Sequence, residues 1–119
     1  MAQSYQQLVA WQKAMEFVTE IYRATRSFPC EKMYGLANQM RRAAISVPSN
    51  IAEGQARYSR RAFYRFLTVA RGSLAEIETQ VGIARSLGYL TSATGQTLLS
   101  RAELGPILNG LIASTKAAA

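Results

Sequence analysis

The chain of 119 residues contains no histidine, no aspartate and a single cysteine, Cys30. Without His and Asp, a Ser-His-Asp triad, histidine-based acid–base catalysis and a His-rich metal site are excluded. One thiol can form neither an intrachain disulfide nor a four-cysteine zinc site, and without a histidine to activate it we interpret Cys30 as an incidental loop thiol. We therefore expect no enzymatic activity, no cofactor and no metal.

Long apolar runs are also missing. No uncharged stretch reaches the roughly 18–20 mostly apolar residues of a membrane-spanning helix. Residues 1–15 lack the basic start and the unbroken apolar segment of a signal peptide. A lone thiol suits a reducing compartment. We expect a cytoplasmic protein with no membrane partner, and a single domain over residues 1–119, because domains commonly run to roughly 100–150 residues.

Positive charge is concentrated in the middle of the chain. Fourteen Lys and Arg residues oppose seven acidic residues, which gives a formal net charge of +7. Residues 41–71 contain seven arginines and one acid, Glu53, so this segment alone carries a net charge of +6. Clustered cations of this kind hold phosphates, so the distribution favours a polyanionic partner.

Apolar residues recur at steps of three and four along the chain, which is the period of one helix face. They predict helical segments at about residues 5–26, 31–54, 59–87 and 92–116. The period-two alternation of strands is absent. Because the connections are short, we predict an all-α protein with the architecture of an antiparallel up-and-down four-helix bundle.

The same steps predict which side chains face the core of the bundle. The third segment has the most regular pattern, a heptad-like seam. The predicted core positions are Leu8, Trp11, Met15, Val18, Tyr22 and Thr25 in the first segment; Met33, Leu36, Ala37, Met40, Ala44, Val47 and Ile51 in the second; Phe63, Leu67, Ala70, Leu74, Ile77, Val81 and Ala84 in the third; and Leu98, Ala102, Leu108, Leu111 and Ile112 in the fourth.

Polar residues, proline and glycine predict where these helices begin, end and bend. Ser4 and Ser59 are typical N-terminal caps. Pro48 predicts a kink in the second helix, because proline removes a backbone donor and crowds the preceding turn. Gly54 is expected to cap the end of that helix. Gly105–Pro106 predicts a kink or a break in the fourth.

On a helical wheel of about 100° per residue, arginines occupy the face of the third helix opposite the seam. We treat the preceding turn as continuous with this helix. Together with two arginines of the second helix, the residues of this face form what we call the arginine surface. We interpret it as a nucleic-acid-binding surface on which arginines hold phosphates and tyrosines stack on bases. A protein partner with an acidic surface, and a merely solvated face, remain alternatives. The arginine surface consists of Arg41, Arg42, Arg57, Tyr58, Arg60, Arg61, Tyr64, Arg65 and Arg71.

A second stripe of small and aromatic side chains runs beside the seam. A helix of a bundle needs only one apolar face, so the stripe predicts an interface between copies of the chain. The alternative is that the stripe widens the core. This lateral stripe consists of Ala62, Phe66, Val69 and Ser73.

Two polar residues near Pro48 lie in an otherwise apolar part of the second helix. The proline frees the carbonyl of Ala44, and Asn50 is placed to satisfy freed backbone groups. Glu53 is placed to pair with Arg57 or Arg42. A structural polar network of Asn50 and Glu53 is a simpler explanation than a ligand site, because an unpaired buried polar group costs roughly 1–3 kcal/mol.

The segment from Ser46 to Gly54, with the sequence Ser-Val-Pro-Ser-Asn-Ile-Ala-Glu-Gly, resembles the 23S rRNA intervening-sequence proteins, a four-helix-bundle family. The resemblance runs from Tyr5 to about Leu90, and the tail with Gly105–Pro106 departs from the pattern. The other residues that carry it are Phe28-Pro29, Glu31, Tyr34-Gly35-Leu36, Gln39, Arg42-Ala43, Phe66-Leu67, Ala70, Gly72-Ser73-Leu74 and Glu76.

The resemblance implies a cytoplasmic, non-enzymatic four-helix bundle that assembles as a homopentamer. These bacterial proteins are encoded by insertions in 23S rRNA genes or by free-standing relatives. The fold is shared with the accessory variability protein of diversity-generating retroelements, which is pentameric and binds nucleic acid and its reverse transcriptase. Two hypotheses follow: an oligomeric nucleic-acid-binding protein with RNA as the favoured polymer, or a protein-interaction scaffold such as the accessory partner of a reverse transcriptase.

Overall fold

The computed structural model describes residues 4–29, 33–101 and 103–117. This part of the chain is helical and contains no β-strand, which confirms the all-α prediction. A 3₁₀ turn (Tyr5–Gln7) and a π-helical turn (Met33–Ala37) precede the first two helices. The helices are α1 (Val9–Thr25), α2 (Asn38–Ala56), α3 (Arg60–Ser86), α4 (Ser92–Arg101) and α5 (Leu104–Ala117).

The first helix begins later than Ser4 predicts. The Ser4 hydroxyl accepts a hydrogen bond from the Gln6 amide, so it caps the 3₁₀ turn and not α1. Leu8 then adopts an extended conformation and separates this turn from α1. Tyr5 packs edge-on against Trp11, with 5.4 Å between the ring centroids, and this contact holds the turn on the helix.

The core face of α1 differs from the predicted one. Met15 is 45% exposed and Tyr22 is 37% exposed, so both predictions were wrong, whereas Thr25 is buried as predicted. Leu8, Trp11 and Val18 flank the core, half-buried. The small side chains of the alanines let α1 approach its neighbours closely, and this favours burial of the face that carries them. The buried face consists of Ala10, Ala14, Phe17, Ile21 and Thr25.

Helix α2 continues through Pro48, which is buried within it. The described core positions of this segment are buried as predicted, apart from the half-buried Leu36. Gly54 is not the C-terminal cap, because α2 ends at Ala56 and Arg57 takes the cap position. Gly54 is instead buried against α3, where an added Cβ would lie 2.6 Å from the Phe66 Cβ. The glycine therefore allows α2 and α3 to approach each other closely.

Helix α3 confirms the seam. Its predicted core residues are buried, except Phe63, which is half-buried against the same cluster. The Ser59 hydroxyl accepts a hydrogen bond of 3.2 Å from the Ala62 amide and caps the helix as predicted. Arg57 and Tyr58 are not continuous with α3, however, because Tyr58 has a φ of 53° and separates the two helices.

The fourth predicted segment is two helices. The break falls before Gly105–Pro106, at Glu103, whose φ is 50°. Pro106 then lies in the first turn of α5, where a missing amide donor removes no helical hydrogen bond. Leu98 and Leu108 are buried as predicted, Leu111 and Ile112 are half-buried, and Leu104 joins the core unpredicted. The side chains of Cys30, Met33 and Ala102 lie outside the described part of the structure.

None of the helices within residues 4–29, 33–101 and 103–117 combines the length and the apolar character that crossing a membrane requires.

Candidate nucleic-acid interface

The arginine surface divides into two groups in the structure. Arg57, Tyr58, Arg60, Arg61, Tyr64 and Arg65 lie on the turn between α2 and α3 and on the first turns of α3; we call them the arginine cluster. Arg42 lies elsewhere, in a surface recess with Gln39, Ser46, Ser73 and Glu76. Arg41, Arg42 and Arg71 lie outside the turn and the first turns of α3, so they are not part of the cluster.

Two arginines of the cluster have no acidic side chain beside them to compensate their charge within the described residues. Arg61 and Arg65 are exposed, and neither has a hydrogen bond or ion pair to another side chain within the described residues. They are four residues apart on α3, so their like charges face each other and destabilise the helix by roughly 0.2–0.5 kcal/mol. An anion bound between them would relieve this repulsion.

Arg57 is held by two contacts beside this pair. Its Nη2 atom lies 3.3 Å from the Glu53 carboxylate, so of the two partners predicted for Glu53, Arg57 and Arg42, the structure shows Arg57. Its guanidinium carbon also lies 5.2 Å from the centre of the Phe66 ring. Both partners of the ion pair are more than half exposed, so the pair is worth little in stability. Arg57 therefore remains accessible to an anion.

Arg41 serves a structural contact between helices. Its Nε atom donates to the hydroxyl of the buried Thr25 at 2.8 Å, and its guanidinium lies over the Tyr22 ring, 4.7 Å from the centre. A further bond reaches the Tyr22 carbonyl at 3.4 Å. These contacts fasten α2 to the end of α1.

Arg71 is similarly engaged. Its Nε atom donates to the Asn109 side chain of α5 at 3.2 Å, and its Nη1 atom lies 3.6 Å from the Glu78 carboxylate. That Nη1 atom is buried and forms no hydrogen bond. The side chain couples α3 to α5, a role that its position on the predicted basic face does not indicate.

A matched pair of substitutions tests this division. Arg41→Gln is expected to lower the free energy of unfolding by about 1–2 kcal/mol, because it removes a hydrogen bond to Thr25 and the contact with Tyr22. Arg42→Gln, at the exposed neighbouring position, is expected to change it by less than about 0.5 kcal/mol. Urea denaturation followed by circular dichroism measures both. Equal effects would contradict the structural role of Arg41.

The aromatic members of the cluster differ in exposure. Tyr58 is 77% exposed, whereas Tyr64 is half-buried. Beside Tyr58 lies a recess of about 250 Å³. The residues that line it are Gly54, Gln55, Tyr58, Ser59, Arg60 and Phe63.

Asn50 and Glu53, the predicted structural polar network, take part in separate contacts, because Glu53 pairs with Arg57 at the surface and Asn50 binds a carbonyl other than the predicted one. Its Nδ2 atom donates to the carbonyl and the hydroxyl of Ser46, at 2.8 and 2.9 Å, and not to the Ala44 carbonyl. The spacing of four residues places Asn50 directly over Ser46 on the same face. Ser46 in turn shares a hydrogen bond of 2.8 Å with Ser73 of α3. The hydrogen bonds that join Asn50, Ser46 and Ser73 thus link α2 to α3, and the sequence pattern did not predict the part played by Ser46.

Gln80 is a second polar residue whose burial the spacing of apolar residues does not predict. It is only 5% exposed, and its amide nitrogen donates to the Glu76 carboxylate at 3.1 Å. Its Oε1 atom is buried without a hydrogen-bond partner. The four-residue spacing of Glu76 and Gln80 is the only sequence signal for this contact.

The lateral stripe lies partly against α2. Ser73 bonds to Ser46, and Phe66 packs on Gly54 and beneath Arg57, whereas Val69 is 52% exposed. Ala62 is half-buried. Arg65, Phe66, Thr68 and Val69 border a shallow depression of about 220 Å³. The interface role of the stripe remains a prediction, now concentrated on Val69 and the exposed part of Phe66.

The described residues include no group of three or more cysteine and glutamate side chains placed to hold a metal ion. The fold and the site are those of a helical protein. The longest helix of its described residues begins in the arginine cluster, which includes an exposed tyrosine.

The chain belongs to the 23S rRNA-intervening sequence protein family, whose model matches residues 6–110. This match confirms the resemblance and extends it beyond Leu90, through Gly105–Pro106. No curated protein matches the chain.

Proposed function

We propose that this chain is a non-enzymatic, oligomeric protein that binds RNA through the arginine cluster. The observation that carries the proposal is the pair of exposed arginines, Arg61 and Arg65, whose charges no side chain of the described residues compensates. Phosphate oxygens accept strong charge-assisted hydrogen bonds from guanidinium groups such as these. RNA is the favoured polymer because of the family resemblance, which also supports a cytoplasmic location.

The proposal includes an antiparallel up-and-down arrangement of the helices. Gly54, near the end of α2, lies against Phe66 in the first part of α3. Ser46, earlier in α2, bonds to Ser73, later in α3. Contacts that move forward along one helix and backward along the other are those of antiparallel neighbours. The connection of three residues from Arg57 to Ser59 is also too short to join two parallel helices of this length.

Recognition of base sequence is not part of the proposal. The cluster supplies guanidinium groups and aromatic rings, which bind phosphates and stack on any base. The absence of histidine and aspartate supports a binding role rather than catalysis.

Self-association is proposed to occur through the lateral stripe, as a homopentamer. The exposed Val69 and the depression beside it offer apolar surface that a second copy would cover. Five copies would bring five arginine clusters into one particle, and the resulting field would attract a polyanion more strongly than one chain.

A protein partner with an acidic surface is the second candidate. Arg65 borders the same depression as Phe66 and Val69, and interface centres combine arginine with apolar side chains. A reverse transcriptase is one such partner by resemblance. Direct binding separates the candidates, and competition then tests whether both ligands use the cluster, because RNA and an acidic protein that share it displace each other.

Light scattering with and without structured RNA tests the proposal in one experiment. The free protein is expected to have five times the mass of the chain. Added RNA is expected to raise the mass of the particle at about 50 mM salt and to dissociate toward about 200 mM, because each neutralised phosphate releases counterions. A monomer that ignores RNA at low salt would contradict both parts, and a pentamer that ignores RNA would contradict RNA binding alone.

A further inference from the structure

Tyr58 occupies a position that usually favours glycine. It follows the C-terminal cap of α2 with a φ of 53°, and its amide donates to the Gln55 carbonyl at 3.2 Å. A side chain with a Cβ is disfavoured in this left-handed conformation. Glu103 shares the conformation at the break before α5, so the backbone alone does not mark a site.

What distinguishes Tyr58 is the exposure and the surroundings of its ring. At 77% exposure it is the most exposed of the large hydrophobic side chains in the described residues. Burial of the ring therefore does not explain why tyrosine occupies the turn. Arg57 precedes it, and Arg60 and Arg61 follow it within one turn of helix. The ring is thus exposed to solvent within a segment that is rich in arginine.

The recess beside Tyr58 has the size and the chemistry for one flat ring system. Its volume of about 250 Å³ lies below the roughly 300–1,000 Å³ of sites for drug-sized ligands. Two aromatic residues, Tyr58 and Phe63, and the basic residue Arg60 are among those that line it. Gly54 and Gln55 of α2, together with Ser59, complete the lining.

We infer that the arginine cluster binds single-stranded nucleic acid, with one unpaired base stacked on Tyr58 in this recess and the neighbouring phosphates on Arg60 and Arg61. A paired base is stacked within its helix and has no free face for the tyrosine ring, so a duplex gains only the phosphate contacts. The inference rests on the proposed function and adds to it a preference for unpaired strands.

Fluorescence anisotropy at one salt concentration tests the inference. The probes are a labelled uridylate RNA strand of about 20 nucleotides and the same strand annealed to oligoadenylate. The native chain is expected to bind the single strand at least about fivefold more tightly than the duplex. Tyr58→Gly is expected to weaken single-strand binding by about 5- to 100-fold and to leave duplex binding unchanged. Tyr58→Phe keeps the ring and is expected to retain the preference.

The thermal midpoint separates binding from folding. Tyr58→Gly relieves the left-handed strain, so its midpoint is expected to equal or exceed that of the native chain while single-strand binding falls. Glu103→Gly relieves the same strain away from the cluster and is expected to leave the preference for single strands intact.

Equal binding of both probes by the native chain, or a Tyr58→Gly variant with native single-strand affinity, would overturn the inference and leave the proposed function standing. If neither probe binds at low salt, the proposed function fails and the inference fails with it.

Discussion

Replacing Arg61 and Arg65 together by glutamate is expected to weaken RNA binding by about 100-fold or more. The two guanidinium groups are exposed and uncompensated by any side chain of the described residues, and each is expected to form a charge-assisted bond to phosphate worth about 1.5–3 kcal/mol. The reversed charges also repel the polymer. Titration of a labelled structured RNA, followed by anisotropy, measures the loss.

A matched variant controls for net charge. Arg26→Glu combined with Lys116→Glu makes the same change in charge at exposed positions outside the arginine cluster. Because salt screens charges beyond about 8–10 Å, this variant is expected to lose much less affinity than the Arg61 and Arg65 variant. Equal losses would mean that binding depends on total charge and would contradict the assignment of the cluster.

Unfolding cannot explain the expected loss. Arg61 lies in the first turn of α3, where a negative side chain interacts favourably with the helix dipole. The two introduced carboxylates repel each other about as strongly as the two guanidinium groups do, so the like-charge term at this spacing is unchanged. The double variant is therefore expected to unfold at the same urea concentration as the native chain or higher, so a lower midpoint together with weak binding would point to misfolding instead.

The parts of the fold that were predicted correctly are those where large apolar residues keep a regular period. The seam of α3 is the clearest example, because Leu67, Leu74 and Ile77 leave only one face that can be buried. In α1 two faces compete, and the one with alanines is buried since small side chains allow closer packing. Hydropathy ranks Met15 above Ala14, so the pattern alone favoured the wrong face.

The candidate site was predicted as a region but not as a set of roles. Seven arginines in residues 41–71 look alike in sequence. Only the structure shows that Arg41 is bonded to Thr25 and Arg71 to Asn109, since both partners are distant along the chain. The turn at Tyr58 was missed for a related reason, because a left-handed tyrosine lacks the glycine that normally signals such a turn.

The close approach of α2 and α3 at Gly54 leads to the largest expected loss of stability. Gly54→Ala is expected to lower the free energy of unfolding by about 1–3 kcal/mol, although alanine favours helix by up to about 1 kcal/mol. The added Cβ would lie 2.6 Å from the Phe66 Cβ. That atom is bonded directly to the backbone and cannot rotate away, so the helices must separate.

The same substitution at Gly82 is the control for Gly54→Ala. Gly82 is exposed within α3, and an added Cβ meets nothing within 4 Å. Gly82→Ala is therefore expected to raise the free energy of unfolding, by up to about 1 kcal/mol, through helix propensity alone. Urea denaturation of both variants gives opposite signs if the contact with Phe66 limits the helix spacing. A gain in stability at Gly54 as well would show that α2 and α3 can move apart without loss.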